Sequence, residues 1–197
     1  MLTDAQIERY ARHILLREVG GSGQRRLLAS EVRLEGISPE GAWAVLYLAL
    51  AGVGRIVVAD PRPVPAGGIP PLIPPSQAGR PRDAAAVPAL AAHNPDVRLE
   101  VEAPGTWSEI GAVLRPKGAD LLLFARAEGE ASLVGWAEAP PCPACAPAGE
   151  ATPEAAALAG SLAASRVLGF FLFGEAPAGI LRFEGGRKEA LAPCPHR

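Results

Sequence analysis

Two clusters in this 197-residue sequence have residue types and spacing suited to chemistry. The first is Gly36-Ile37-Ser38-Pro39-Glu40-Gly41, placed between a strand pattern and a helix pattern. In a phosphate-binding turn, glycines let backbone N–H groups approach the phosphate, and the helix N-terminus adds its partial positive charge. Here only Gly36 and Gly41 stand at glycine positions. Pro39 has no N–H to give, and Glu40 puts a carboxyl group where a phosphate would sit. Taken alone, the segment reads more readily as an ordinary strand–helix turn than as a nucleotide site. Asp60 ends the next strand about twenty residues on, where a ribose-binding acid is expected; a solvated strand-end acid fits the position equally well.

The second cluster is Cys142-Pro143-Ala144-Cys145, with Cys194 and His196 near the end of the sequence. Its CxxC spacing suits a tetrahedral metal, and the four residues together could form a Cys3His set. Structural zinc, an emptied relic of such a site, and free or redox-active thiols all stay open. Cys194 and His196 are closer together than ligands usually are, which leaves the fourth ligand open. His13 and His93 fall on helix patterns, and no Ser/His/Asp triad can be assembled from spacing.

The elements that must position these residues alternate. Thr3 to Gln6 reads as a capping box opening an amphipathic helix that should run to Gly20-Gly21, with a short second helix around Gln24–Leu28. Glu31–Glu35 reads as a strand, Ser38-Pro39 as the N-cap and first residue of a helix through Leu50 that stops at Gly52, and Arg55–Asp60 as a buried strand. Helices at Ala84–Ala92 and Trp107–Leu114 and strands at Val97–Val101 and Asp120–Phe124 continue the rhythm. This predicts an α/β fold with a Rossmann-like, mainly parallel sheet and flanking helices. Seven prolines in Pro61–Pro75 predict an extended surface loop. Ala155–Phe173 is apolar but carries Arg166 near its centre, and a buried helix fits it better than a membrane span. Gly185-Gly186 between Gly179–Glu184 and Arg187–Leu191 predicts a C-terminal β-hairpin.

Composition narrows the classes. A formal net charge of −2 lacks the basic footprint of a nucleic-acid binder. Met1 opens on a polar helix start, so no signal peptide is expected. Three cysteines do not form a disulfide framework and suit a reduced, cytoplasmic setting.

Arg9-Tyr10-Ala11-Arg12-His13-Ile14-Leu15-Leu16 and Glu18-Val19-Gly20-Gly21-Ser22-Gly23-Gln24 resemble the start of the ThiF/MoeB/HesA proteins, bacterial relatives of ubiquitin-activating E1 enzymes. Tyr47 to Gly54, Gly79-Arg80-Pro81-Arg82 and Asn94-Pro95-Asp96-Val97 continue the likeness in order. Pro141 to Cys145 and Pro193-Cys194-Pro195 resemble the family's two zinc-knuckle halves. The resemblance implies one domain over residues 1–197: N-terminal dimerisation helices at 1–29, a nucleotide-binding core at 30–139, and knuckle, apolar helix, hairpin and tail at 140–197. It also implies binding of ATP·Mg, adenylation of the C-terminal glycine of a ubiquitin-like sulfur carrier, and a homodimer in which Arg12 matches an arginine reaching the neighbour's nucleotide.

Set against that pattern, the sequence is a record of losses. Gly36 and Gly41 match the outer glycines of the family's turn, with Ser38 and Pro39 in the middle positions. Asp60 matches the ribose-binding acid, while the second acid of that stretch falls on Arg62. The phosphate-holding Asn and Arg fall within Gly68-Ile69-Pro70-Pro71-Leu72, the catalytic lysine on Arg82, and the magnesium-binding Asp near Ala127. Between Ala127 and Cys142 the chain is shorter than the family pattern, with no counterpart for the loop carrying the catalytic cysteine. Adenylyl transfer depends on positioned charge and metal, and one lost preorganised contact costs about 3–4 kcal/mol. The expected role is therefore a non-catalytic binding partner of a sulfur carrier or an active paralogue, with ATP·Mg binding lost. The rivals are a diverged adenylyltransferase using Arg82 and Arg12, and an NAD- or FAD-binding protein resting on Gly36 and Asp60.

Overall fold

The computed structural model describes residues 1–103, 111–138 and 150–191. Its elements are α1 (Asp4–Arg9), α2 (Ala11–Ile14), α3 (Gly20–Ala29), β1 (Glu31–Glu35), α4 (Pro39–Ala51), β2 (Arg55–Ala59), α5 (Arg82–His93), β3 (Arg98–Val101), β4 (Ala112–Pro116), β5 (Leu122–Glu128), β6 (Ala131–Ala137), α6 (Pro153–Phe173), β7 (Gly179–Glu184) and β8 (Arg187–Leu191). The strands form one eight-stranded sheet in the order β3-β2-β1-β4-β5-β6-β7-β8. This is the expected Rossmann-like α/β architecture with flanking helices and a terminal hairpin. The mainly parallel sheet expected is instead mixed: only the β3-β2-β1 end is parallel, and from β1–β4 onward every pairing is antiparallel, as the two-residue turns joining β5 to β6 and β7 to β8 require.

Local chemistry accounts for most boundaries. Thr3 and Gln6 cap α1 reciprocally as expected, but the first helix does not run on to Gly20. It breaks at Tyr10, whose side chain is buried, and the chain resumes as a longer helix only at Gly20. Ser38 caps α4, Pro39 takes its first turn, and Gly52 ends it at φ 84°. The extension of a helix to Leu114 is corrected: Ala112–Pro116 is a strand, while residues 104–110 lie outside the described set. Val113 and Leu114 are buried on opposite faces of the sheet, and two buried faces mimic the continuous apolar run of a helix. β6 has no counterpart among the strands expected from the sequence. It pairs with β5 from Glu128↔Ala131 to Leu122↔Ala137 across a two-residue turn, Gly129-Glu130.

The proline-rich segment lies at the surface as expected, with all seven of its prolines exposed. Four apolar side chains anchor it there: Val64, Ile69, Leu72 and Ile73 are at most 4% exposed and join the main core. Proline removes backbone donors, so the segment can lie against apolar side chains with few N–H groups left to satisfy. The main core also takes in the inner faces of α4, α5 and α6. The length and apolarity of α6 are those of a membrane-spanning helix, but one of its faces packs on α4, β5 and β6.

Residues behind the N-terminal resemblance form a polar clasp. Asn94 Nδ2 donates to the Ala49 carbonyl at 2.7 Å and to Tyr10 Oη at 2.9 Å. Gln24 Nε2 donates to the Ala51 carbonyl at 3.0 Å, and Arg9 pairs with Asp96 at 3.1 Å. Burial pushes the Tyr10 phenol up to about 12, so it stays protonated. A Cβ at Gly52 would stand 2.6 Å from that phenol oxygen. The clasp ties α1–α3 to the C-terminal end of α4. Asn94→Ala would cost the Ala49 carbonyl and the Tyr10 hydroxyl one buried hydrogen bond each, leaving the carbonyl only the Gly52 amide, and chemical denaturation should show a loss of about 2–3 kcal/mol.

Candidate functional site

The candidate turn begins where β1 ends. Gly36 takes φ 85°, a conformation that favours glycine. A Cβ on Gly41 would stand 2.4 Å from the Gly36 carbonyl oxygen. Both glycines therefore serve the close approach of α4 to β1, with or without a ligand. Ile37 between them is fully buried, and Ser38 Oγ accepts the Gly41 N–H at 3.4 Å.

Glu40, on the first turn of α4, is 5% exposed. The Ser38 hydroxyl and the backbone amides of Glu40 and Ala127 hydrogen-bond its carboxyl group, and Arg126 attracts it. Arg126 is itself buried. Burial outweighs these contacts and holds the Glu40 pKa above the ordinary carboxyl range. The electropositive end of α4 is thus met by a carboxyl group from the same chain. A raised folded-state pKa means that the group's stability contribution is complete at acid pH and is lost as pH rises from the ordinary 4.5 through the folded value. Glu40→Gln is therefore expected to melt above the parent at pH 7, with the gain vanishing below about pH 4.5 in melts recorded against pH.

Asp60 is fully buried at the end of β2, and both its oxygens are taken. Oδ2 accepts the Ile37 N–H at 2.7 Å and Arg62 Nη2 at 2.6 Å. Oδ1 accepts Arg62 Nε at 2.7 Å and the Arg62 backbone N–H at 3.2 Å. The fork of Arg62 on Asp60 is a bidentate charge-assisted pair. Arg82 Nη1 stands 3.6 Å from Asp60 Oδ2, and its guanidinium also donates to the carbonyls of Pro63 and Ile37. Burial, joined by the nearby Arg62 charge, lowers the Arg82 pKa from the usual arginine value. Ala127 is buried in β5 and offers no ligand atom from its side chain.

Gly36, Gly41, Asp60 and Arg82 thus gather at the C-terminal ends of β1 and β2, where an open α/β sheet places its ligands. Arg12 does not join them: it is exposed on α2 without a hydrogen-bond or ion-pair partner among the described residues. Cys142, Cys145, Cys194 and His196 lie outside the described residues. Among those described, no three His, Cys, Asp or Glu side chains stand close enough to hold a metal ion. Sequence reasoning misses Arg62 and Arg126 as partners. For Arg62 the signal is present, an acid and a guanidinium two residues apart across Pro61. For Arg126, contributed by a distant strand, no local signal exists.

The family model described as the ThiF family matches residues 10–108. The chain is 37% identical over 127 residues to the SAMP-activating enzyme E1 of Haloferax volcanii, covering 63% of this chain and 46% of that protein. It is 36% identical over 100 residues to the sulfur carrier protein ThiS adenylyltransferase of Escherichia coli, covering 50% of this chain and 40% of that one. The chain thus spans less than half the length of these curated relatives. Among solved structures, PaaA superposes with a TM-score of 0.75 at 16% identity, covering 97% of this chain and 84% of PaaA. E. coli MccB with ATP gives 0.74 at 14% identity, covering 95% of this chain and 72% of MccB. These two likenesses concern the fold.

Proposed function

Because the chain belongs to the ThiF family, we propose that it is a member whose nucleotide site is filled by its own side chains. It acts as a binding or scaffold partner in sulfur-carrier chemistry and carries out no adenylyl transfer. The observation behind this reading is the occupied Asp60: Arg62 and the Ile37 amide already hold both carboxylate oxygens.

The residues present do not fit ATP·Mg. A ribose would have to displace the Arg62 fork, and a phosphate would meet the buried Glu40 carboxyl at the helix end. The segment matching the phosphate-holding Asn and Arg instead buries Ile69 and Leu72. The position matching the magnesium ligand is an alanine in β5. Arg82, one of the two arginines on which the adenylyltransferase alternative depends, is already bonded to two backbone carbonyls.

The proposal includes a cytoplasmic homodimer whose partner is a ubiquitin-like sulfur carrier or an active paralogue. Isothermal titration with ATP·Mg should give no specific heat of binding. Micromolar binding, or pyrophosphate exchange with a carrier protein, would sink the reading. For the cysteine pair, a structural knuckle requires about one zinc per chain by elemental analysis, lost in a Cys142→Ser variant.

A further inference from the structure

A groove of about 800 Å³ opens between the C-terminal ends of α4 and α6, a volume within the range of small-molecule sites. It is separate from the turn described above. Its α4 residues are Tyr47, Leu50 and Ala51, and Leu50 lies ten positions beyond Glu40, roughly 15 Å along the helix. The walls are apolar, with Leu50, Leu168, Leu172 and Phe173 among them. Leu50 and Phe173 are 43% and 54% exposed, large apolar side chains left open to water.

Set into those walls is an excess of hydrogen-bond donors. Arg166 lies on the groove and is only partly exposed. Among the described residues its guanidinium has neither an ion-pair nor a hydrogen-bond partner, and burial lowers its pKa from the ordinary value. Trp136 lines the same groove, and its Nε1 is the one buried side-chain nitrogen or oxygen among the described residues without an acceptor. A buried donor left unpaired is costly, and native proteins rarely carry one without a reason. The other titratable groups on the groove are His13, whose Nδ1 is bonded to Gln24 Oε1, Tyr47 on α4, and Glu175, which is exposed.

The geometry points to a binding site for a small amphipathic carboxylate, its head on Arg166 and its apolar body along Leu50, Leu168 and Phe173. An unpaired guanidinium half-sunk in an apolar wall selects for an anion, and the wall selects for a chain or ring that water rejects. The proposal does not depend on the state of the nucleotide turn, since the two sites share no residue.

Decanoate below its micellar concentration is the probe, titrated calorimetrically into the full-length protein. Decanol is the uncharged control, and tryptophan fluorescence serves as a second readout. One decanoate should bind per chain and perturb the fluorescence, with decanol at least about tenfold weaker, as loss of a charge-assisted hydrogen bond implies. Arg166→Gln should weaken decanoate about tenfold and leave decanol unchanged. A melting curve on that variant verifies its fold. Two results overturn the site: equal affinity for the two probes, or decanoate binding indifferent to Arg166→Gln. Sedimentation showing that a second copy covers the groove, with decanoate acting only by splitting the pair, overturns it as well.

Discussion

Arg62→Ala is expected to destabilise the fold by about 3 kcal/mol at neutral pH, because it strands a buried carboxylate. For a chain of this size that corresponds to a fall in Tm of roughly 6–12 °C. Asp60 has no exposed surface. After the substitution it keeps the Ile37 amide, the backbone amide of residue 62 and a more distant Arg82, 3.6 Å away, and loses its bidentate cation. The effect should be strongly non-additive. In an Asp60→Asn background the buried charge is gone, and Arg62→Ala should then cost little, so a double-mutant cycle isolates the pair. Were the acid instead held open for a ribose, Arg62 would sit apart from it and its loss would leave stability nearly unchanged. Thermal melts of the four proteins distinguish the two cases.

Gly160→Ala is expected to be as damaging, for a steric reason. Gly160 lies where α6 crosses the first turns of α4, and a Cβ there would stand 2.3 Å from the Glu40 carbonyl oxygen and 2.5 Å from Trp43 Cβ. Neither contact is the free end of a flexible side chain, so the helices must move apart. Overpacking of this kind costs about 3 kcal/mol, and the shift would pass to the Ser38–Gly41 turn. Gly169 on the same helix provides the control. A Cβ added there would meet nothing within 4 Å, and Gly169→Ala should stabilise by about 0.5–1 kcal/mol through helix propensity alone. Opposite signs from one substitution type on one helix, read by chemical denaturation, would verify the crossing.

The parts of the fold legible in the sequence are those governed by local rules. Ser38-Pro39 at the start of α4, Gly52 at its end and Gly185-Gly186 between β7 and β8 carry their geometry in the residue types themselves. β4 and β6 escape a reading by periodicity because each is buried on both faces, and a strand without a polar face loses its period of two. The Pro61–Pro75 segment is legible as surface from its prolines, which are all exposed, but proline content does not tell which of the side chains between them turn inward. Its core contacts depend on Val64, Ile69, Leu72 and Ile73.

The candidate site is legible as a set of positions and illegible as a set of bonds. Gly36, Gly41, Asp60 and Arg82 do converge, yet sequence alone does not tell what each holds. Glu40 shows the difficulty. Its charge beside the turn is visible, but its burial against Ser38, Ala127 and Arg126 depends on β5, which folds in from far along the chain.

The Arg62–Asp60 fork also bears on the routes by which the sequence can change. Placing an acid at position 62 in one step would set a second carboxylate beside the buried Asp60 and remove the cation that neutralises it. Two carboxylates at such a site repel each other and resist ionisation together. Removing Asp60 first would leave the Ile37 amide and the Arg62 backbone amide without their acceptor. Either first step lowers stability before any new contact forms. The pair therefore works as a ratchet: a descendant acquires an acidic pair at these positions only after compensating changes elsewhere in the core have raised its stability.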